Sequence, residues 1–321
     1  MKTRKYPIYC YIDAFLLIGF LVFLMVYFDV RYLFYDTVVT GGDTASWHGI
    51  AHHLSKILLP NGRLMGWDMG NFCGYPNFNF YFLPPFLLAV LPSSLFGIPL
   101  TITLKWAIMS GIFLFPVAVY FGLRAMDYQF PIPIMGTSCA MVLLFNETYT
   151  IFGGNTLSTF AGEFCYMFAF TLFAFFIGIF YHGYKTKTLA IINGILLGLI
   201  GLSHLFIFIP AFILLVFAFF DRASVRYLLS VGLIAFACMA FWILPLIAYR
   251  HPYTTPVYMI WQEFINLRYT LAGVLLIIVF TGPRFALFLI GQGEKVKIMW
   301  QWAFAGLLAI GTFAVVYLMG Q

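Results

Sequence analysis

Three side chains in this sequence sit where their type and setting could do chemistry. Asp43 follows Gly41-Gly42 and precedes Thr44-Ala45-Ser46-Trp47. Glu163 lies in Ala161-Gly162-Glu163-Phe164, with apolar residues on both sides, and His204 follows Leu202-Ser203. A carboxylate or imidazole held in a fixed position can move a proton as general acid or base. Asp43 also heads a stretch with Trp47, Ile50, Leu54, Ile57 and Leu58 at helical spacing. A carboxylate at that N-cap position accepts the free backbone N–H groups of the first turn. Capping and catalysis are compatible roles for it. His48 and His52 are four apart and share a helix face, which is ligand-like spacing. No carboxylate follows in an H-E-x-x-H arrangement, so the plainer reading makes them polar residues on the wet side of the helix. His204 could equally satisfy a backbone carbonyl at a helix turn.

The elements that must position these residues are set by composition. The chain has 321 residues, 63% hydrophobic and 9% charged, with 39 Phe and 20 Tyr; its mean hydropathy is +0.97. A soluble globular domain carries about 25% charged residues. The expected fold is therefore all-α, a polytopic membrane helical bundle forming a single membrane domain over 1–321. A cytosolic enzyme, a secreted disulfide scaffold and a nucleic-acid binder are excluded as primary readings. The net charge of +6 comes from basic residues between apolar spans, where they act as topology signals. The five cysteines (Cys10, Cys73, Cys139, Cys165, Cys238) show no metal-ligand or disulfide spacing.

Apolar runs occupy 12–34, 79–99, 102–124, 130–146, 159–182, 187–203, 204–220, 227–249, 268–291 and 299–319. A run of roughly 20 residues can cross a bilayer. Placing Lys2, Arg4 and Lys5 inside, with Lys185, Lys187, Arg222, Arg226, Lys295 and Lys297, puts both ends of 79–99 outside. That segment holds Pro84, Pro85, Pro92 and Pro99, which should break a regular helix. It is expected to be re-entrant or interfacial, leaving nine transmembrane helices with the N-terminus in and the C-terminus out. The alternative is that 79–99 spans and Arg124 lies outside. Thr281-Gly282-Pro283 should kink the span over 268–291.

This topology gathers the unusual residues on one face. The first outer loop, 35–78, carries an amphipathic interfacial helix over 43–59. It also carries Asp36, His53, Arg63 and Asp68. Glu147, Glu163, His204, Arg250, His251, Glu263 and Arg268 fall on the same side. An ionisable residue inside a span is a functional candidate by default, and Glu163 is the clearest one. Gly66, Gly70, Gly74 and Pro76 punctuate a compact loop. Within it Trp67, Phe72 and Tyr75 could wall a sugar or a prenyl chain, or form an aromatic belt.

The order of these pieces carries a resemblance. Gly42-Asp43-Thr44, Gly66-Trp67-Asp68, Gly74-Tyr75-Pro76 and Phe80-Tyr81-Phe82 are followed by a Pro-rich segment. Then come Ala161-Gly162-Glu163-Phe164, Leu202-Ser203-His204 and Phe241-Trp242-Ile243-Leu244-Pro245. The series resembles the bacterial and archaeal membrane proteins labelled 6-pyruvoyl-tetrahydropterin synthase-related. Those are similar in layout to GT-C glycosyltransferases, which take a sugar from a polyprenyl-phosphate donor. The resemblance covers most of 36–250. It departs in the first loop, where GT-C enzymes often show two nearby acids and here the next acid after Asp43 is Asp68.

The resemblance implies a membrane glycosyltransferase of the cell envelope. It would be multi-pass in the inner (plasma) membrane, its site facing the periplasm or exterior. Asp43, Glu163 and His204 would be catalytic. His48, His52, Arg63, Trp67, Asp68, Tyr75 and Arg250 would contact substrate, and Trp242 and Pro245 would be structural. The cofactor is open, a divalent metal on Asp43 with Glu163 being one option. Expected partners are the lipid bilayer, a polyprenyl-phosphate sugar and other membrane subunits, with no nucleic acid. The competing reading is a non-catalytic GT-C-like subunit serving as scaffold or lipid-binding module. A transporter fits less well, because no internal repeat is visible.

Overall fold

A computed structural model describes residues 7–70, 73–79, 82–218 and 224–253. The chain divides into two compact units, 1–215 with 221–247 and 216–220 with 248–321. Of the second, the described part is helical backbone only, and the account below concerns the first. The runs over 268–291 and 299–319, the kink at Pro283, and Glu263 and Arg268 lie outside the described residues.

Among its described residues the first unit is mostly helical, with one small hairpin. Helix α1 (Pro7–Tyr27) leads into a tight turn at Val30–Phe34. Helix α2 (Thr44–His53) continues as a wider π-type turn through Leu58. Strands β1 (Gly66–Asp68) and β2 (Tyr75–Asn77) pair antiparallel, with Trp67 opposite Pro76. Then follow α3 (Pro84–Phe96), α4 (Leu100–Ala125) and α5 (Ile132–Leu144). The single turn α6 (Thr156–Ser158) runs through a wide turn into α7 (Phe164–Thr186). Helices α8 (Ala190–Ser203), α9 (Leu205–Ala218) and α10 (Val225–Tyr253) complete the described chain.

Among the described residues, four stretches are long and apolar enough to cross a membrane: Cys10–Tyr27, Leu100–Ala125, Thr156–Thr186 and Val225–Ala248. Four other apolar helices, Pro84–Phe96, Ile132–Leu144, Ala190–Ser203 and Leu205–Val216, are shorter. At ~1.5 Å rise per residue each of these reaches only about 20 Å, against ~30 Å of bilayer hydrocarbon. Local chemistry trims them. His204 is extended (φ −166°, ψ 120°) and splits the run between α8 and α9.

The prolines of 79–99 do not prevent a helix. Pro84 and Pro85 occupy the first turn of α3, where a missing N–H costs nothing. Pro92 is accommodated inside, and Gly97 ends the helix in the left-handed region at φ 68°. Phe86, Ala89 and Val90 are buried against the protein.

The central pair, α4 and α7, crosses at close range through small residues. A Cβ on Gly178 would lie 2.1 Å from the Gly122 carbonyl oxygen, and one on Gly111 2.9 Å from Met167 Cγ. Thr171 Oγ1 donates to the Gly111 carbonyl at 2.9 Å. Small residues at helix contacts are the usual packing device in lipid, where apolar burial between helices drives little. Gly194 and Gly198, spaced as G-x-x-x-G, serve α8 in the same way against Ile234 and Cys238 of α10.

Few polar groups tie the bundle. Lys105, buried on α4, donates to the carbonyls of Tyr32 (3.1 Å) and Tyr35 (2.6 Å) and to Thr37 Oγ1 (3.0 Å). It fixes the segment after α1 onto the head of α4. Tyr120 Oη donates to buried Asp13 at 3.1 Å, joining α4 to α1. Gly178→Leu should force α4 and α7 apart and cost about 1–3 kcal/mol or more. Thermal unfolding in detergent checks this, with Gly19→Leu, which meets nothing within 4 Å, as the tolerated control.

Candidate functional site

The site is built on a contact between two backbones. The Asp43 N–H donates to the Ala161 carbonyl at 2.9 Å. Thr44 Oγ1 donates to the Phe160 carbonyl at 3.0 Å, and Trp47 Nε1 to the Gly162 carbonyl at 2.9 Å. Gly42 and Gly162 permit this approach. Both have positive φ, at 49° and 126°. A Cβ on Gly42 would lie 2.0 Å from the Ala161 oxygen, and one on Gly162 2.8 Å from Asp43 Cβ. Gly42-Asp43 and Gly162-Glu163 therefore interlock, and the two acids flank one junction.

Asp43 occupies the N-cap position of α2, but its side chain makes no capping bond. The reason is local. An N-cap side chain reaches the first-turn N–H groups from an extended backbone, whereas Asp43 has helical angles (φ −81°, ψ −1°). Its carboxylate is exposed and has no hydrogen-bond or ion-pair partner among the described residues. Glu163 stands at the head of α7, its side chain 39% exposed, with Oε2 3.7 Å from His204 Nε2. His204 is buried, its ring stacked on Phe82 at 4.5 Å and edged by Tyr166 at 5.0 Å. Asp43 and Glu163 thus flank one backbone interlock, and His204, from a third part of the chain, lies against Glu163.

The substrate-contact candidates divide. His52 is exposed and His48 half-buried. Burial, and then the neighbouring His52, hold the His48 imidazole below its ordinary 6.5. Arg63 is exposed, and Trp67 is half-exposed on β1. Arg250 lies in the helical backbone of α10, its side chain outside the described part.

Asp68 and Tyr75 belong to a second polar cluster around His53. His53 Nδ1 lies 3.1 Å from Asn77 Nδ2 and 3.8 Å from Asp68 Oδ2. Tyr75 Oη donates to Asn77 Oδ1 at 3.2 Å. Burial first, and then the Asp68 carboxylate, push the Tyr75 phenol up to about 12. Among the described residues no three His, Cys, Asp or Glu side chains come together as a metal site. A metal option on Asp43 with Glu163 has two carboxylates to offer.

Three groups that the sequence pattern does not single out complete the site. His53 is the histidine of 48, 52 and 53 that turns inward, onto the side of α2 with Trp47 and Leu54. Phe86 is fully buried and receives the edges of Trp47, Phe78 and Phe164 at 5.3–5.9 Å. It thereby joins α2, the hairpin exit and α7. Phe78, at φ 62°, accepts a bond from Trp242 Nε1 at 3.0 Å, and the Leu83 N–H donates to the Leu202 carbonyl at 3.2 Å. The residues after the hairpin are so pinned to α10 and to the end of α8. The signal for His53 was available, since it lies three residues after Ile50 and so beside the apolar stripe.

Compared with known proteins, the chain matches no family model, no curated protein and no solved structure.

Two outcomes follow from this geometry. Trp47→Phe keeps the ring against Phe86 but removes the bond to Gly162, and should cost about 1 kcal/mol, measured by chemical unfolding. Because His48 binds its proton less well folded than unfolded, stability should fall as pH drops through about 6.5. It should be untouched by this group above that value. His48→Gln should flatten that acid limb in a Tm-versus-pH series.

Proposed function

We propose that this protein is a GT-C-like membrane glycosyltransferase that takes a sugar from a polyprenyl-phosphate donor at the outer membrane face. The observation carrying this reading is the interlock of Gly42-Asp43 with Gly162-Glu163, with Glu163 Oε2 3.7 Å from His204 Nε2. The junction stands at the start of α7. The spanning arrangement that goes with it has nine spans, the N-terminus inside and the site facing the periplasm or exterior.

Asp43 suits the general base, because its carboxylate is exposed and uncommitted. An acceptor hydroxyl attacks the anomeric carbon of the donor. The new C–O bond forms as the bond from that carbon to the phosphate oxygen breaks. The hydroxyl proton passes to Asp43, and polyprenyl phosphate leaves with the electron pair. Glu163 and His204 act on the donor side, as a carboxylate and an imidazole 3.7 Å apart. Phe82 and Tyr166 keep that imidazole in place and shield it from water.

The test is lipid mass spectrometry on gently purified protein, comparing wild type with Asp43→Asn and Glu163→Gln. Wild type should carry polyprenyl phosphate or its sugar adduct. Asp43→Asn should retain the sugar adduct, with turnover lower by about 10²–10⁴-fold, the usual contribution of a general base. Bulk phospholipid alone, identical in all three proteins, would replace this reading with that of a non-catalytic scaffold.

A further inference from the structure

The hairpin and helix α2 meet at a polar cluster that the transfer reading leaves unused. Side chains of a strand alternate between its two faces, and residues directly opposite across an antiparallel pair share a face. Asp68 is opposite Tyr75, and Gly66 is opposite Asn77. Asp68, Tyr75 and Asn77 therefore stand on one face of the hairpin. That face lies against α2 and the wide turn that continues it. A Cβ on Gly66 would lie 2.7 Å from Leu58 Cδ2, so a glycine there lets the two elements close. His53, the histidine that α2 turns inward, is received by Asp68 and Asn77.

Each group in this cluster is oriented by another. Asp68 Oδ1 accepts from the Gly70 N–H at 2.8 Å, which leaves Oδ2 to face His53 Nδ1 at 3.8 Å. Asn77 is fully buried. One end of its amide lies 3.1 Å from the same Nδ1, and the other lies 3.2 Å from Tyr75 Oη. His53 is 6% exposed, and the side chain of Asp68 is 19% exposed. The cluster is enclosed by protein and most accessible at Asp68.

The distances point to a shared cation. A nitrogen and an oxygen 3.8 Å apart are beyond hydrogen-bond reach. Two ligands of one Zn²⁺, with bonds of about 2.0–2.2 Å, stand about 3–4 Å from each other. Both separations from His53 Nδ1, 3.8 Å and 3.1 Å, fall in that span. The Asn77 amide presents its oxygen to an ion there by exchanging its two ends, which differ only in hydrogen-bonding role. Nδ2 then donates to Tyr75 Oη, since a phenol accepts as well as donates. The bond to Tyr75 is kept, in reverse.

We infer that His53, Asp68 and Asn77 form a binding site for a divalent transition-metal ion, Zn²⁺ before Mn²⁺. The ligand set selects this class. An imidazole nitrogen suits Zn²⁺, and carboxylate and carbonyl oxygens extend the choice to Mn²⁺, whereas Mg²⁺ and Ca²⁺ take oxygen ligands. Only two of the three ligands are His or Asp, and the third is an amide oxygen. Three protein ligands leave a position for water, as in an open zinc site. The ion fastens the hairpin to α2. It also fastens α2, through Asn77 and the adjoining Phe78, to the bond from Trp242. The site is independent of the transfer reading, because Asp43 and Glu163 take no part in it.

The experiment uses the full chain, without an affinity tag, in detergent. Chelator-treated protein is titrated with Zn²⁺ by calorimetry, and the loaded protein is measured by X-ray absorption at the zinc edge. Wild type should bind a single ion per chain, with nitrogen and oxygen neighbours and no sulfur. Asp68→Asn keeps the shape of the side chain and the oxygen that holds Gly70, and His53→Gln keeps a polar group against Asn77. Each should weaken binding by about tenfold or more, since even changes around a metal's ligands cost about 10–100-fold. Zn²⁺ should raise the Tm of wild type more than that of either variant. Asp43→Asn and the double variant His48→Gln/His52→Gln should bind as wild type does. No binding in wild type, or unchanged binding in either Asp68→Asn or His53→Gln, overturns the inference. Loss of binding in His48→Gln/His52→Gln overturns it by assigning the ion to the histidines four apart on α2. Loss in Asp43→Asn overturns it by assigning the ion to Asp43 and Glu163.

Discussion

The close approach of residues 41–44 to residues 160–162 is the constraint on which the rest of the site depends. Two backbones can lie this near only where neither carries a Cβ in the gap, and Gly42 and Gly162 supply that space. Once they meet, the Asp43 N–H, the Thr44 hydroxyl and the Trp47 indole all bond to successive carbonyls of the facing turn. Helix α2 is then held at its start, with Trp47, Ala51, Leu54 and Leu58 directed into a core shared with Phe86, Val90 and Phe164. The apolar stripe of the first loop is thereby satisfied by protein. The position of Glu163 follows as well, because it heads α7 directly after the glycine that the junction locks.

The same junction explains why the two polar clusters are neighbours. Phe86 touches the ring of Trp47 on one side and Phe78 on another, so the hairpin exit packs against the helix that carries Asp43. Trp242 and Leu202 grip that exit from α10 and α8, which brings Phe82 onto His204. In an apolar bundle each polar group needs a partner or a purpose. Lys105, Asn77 and Asn155 find several partners each. Asp43 is exposed, whereas Ser203 Oγ and His204 Nδ1 are enclosed but unmatched, as are Asp13 Oδ1, Thr156 Oγ1, Ser158 Oγ and Asn193 Oδ1. Groups placed against this economy are the ones on which a functional reading gains most.

Much of the bundle was legible in the apolar runs, because burial in lipid or protein demands long stretches without charge. The runs did not carry their own ends. The stretch 12–34 reads as one span, yet α1 stops at Tyr27 and Asp29 turns the chain at φ 41°. The prolines of 79–99 read as breakers, yet two of them open α3, where the missing donor is harmless. At the site, Asp43, Glu163 and His204 stood out as polar residues among apolar neighbours. His53 did not, because the regular spacing of His48 and His52 drew notice to the opposite side of the helix. Burial depends on where α2 docks, and spacing alone does not reveal that.

The sequence by itself determined that this is a helical, membrane-compatible chain whose few acids and histidines stand among apolar residues. Hydropathy and the rarity of charge are local properties, read residue by residue. Only the tertiary structure decided that Gly42 and Gly162 meet and that Asp43 is left uncapped. It also decided that Glu163 faces His204 and that His53 rather than His52 turns inward. These outcomes depend on backbone approach and ring packing between segments far apart in the chain, in the case of Gly42 and Gly162 more than a hundred residues. A linear pattern of residue types does not encode such distances, because they are fixed only when the helices close on one another.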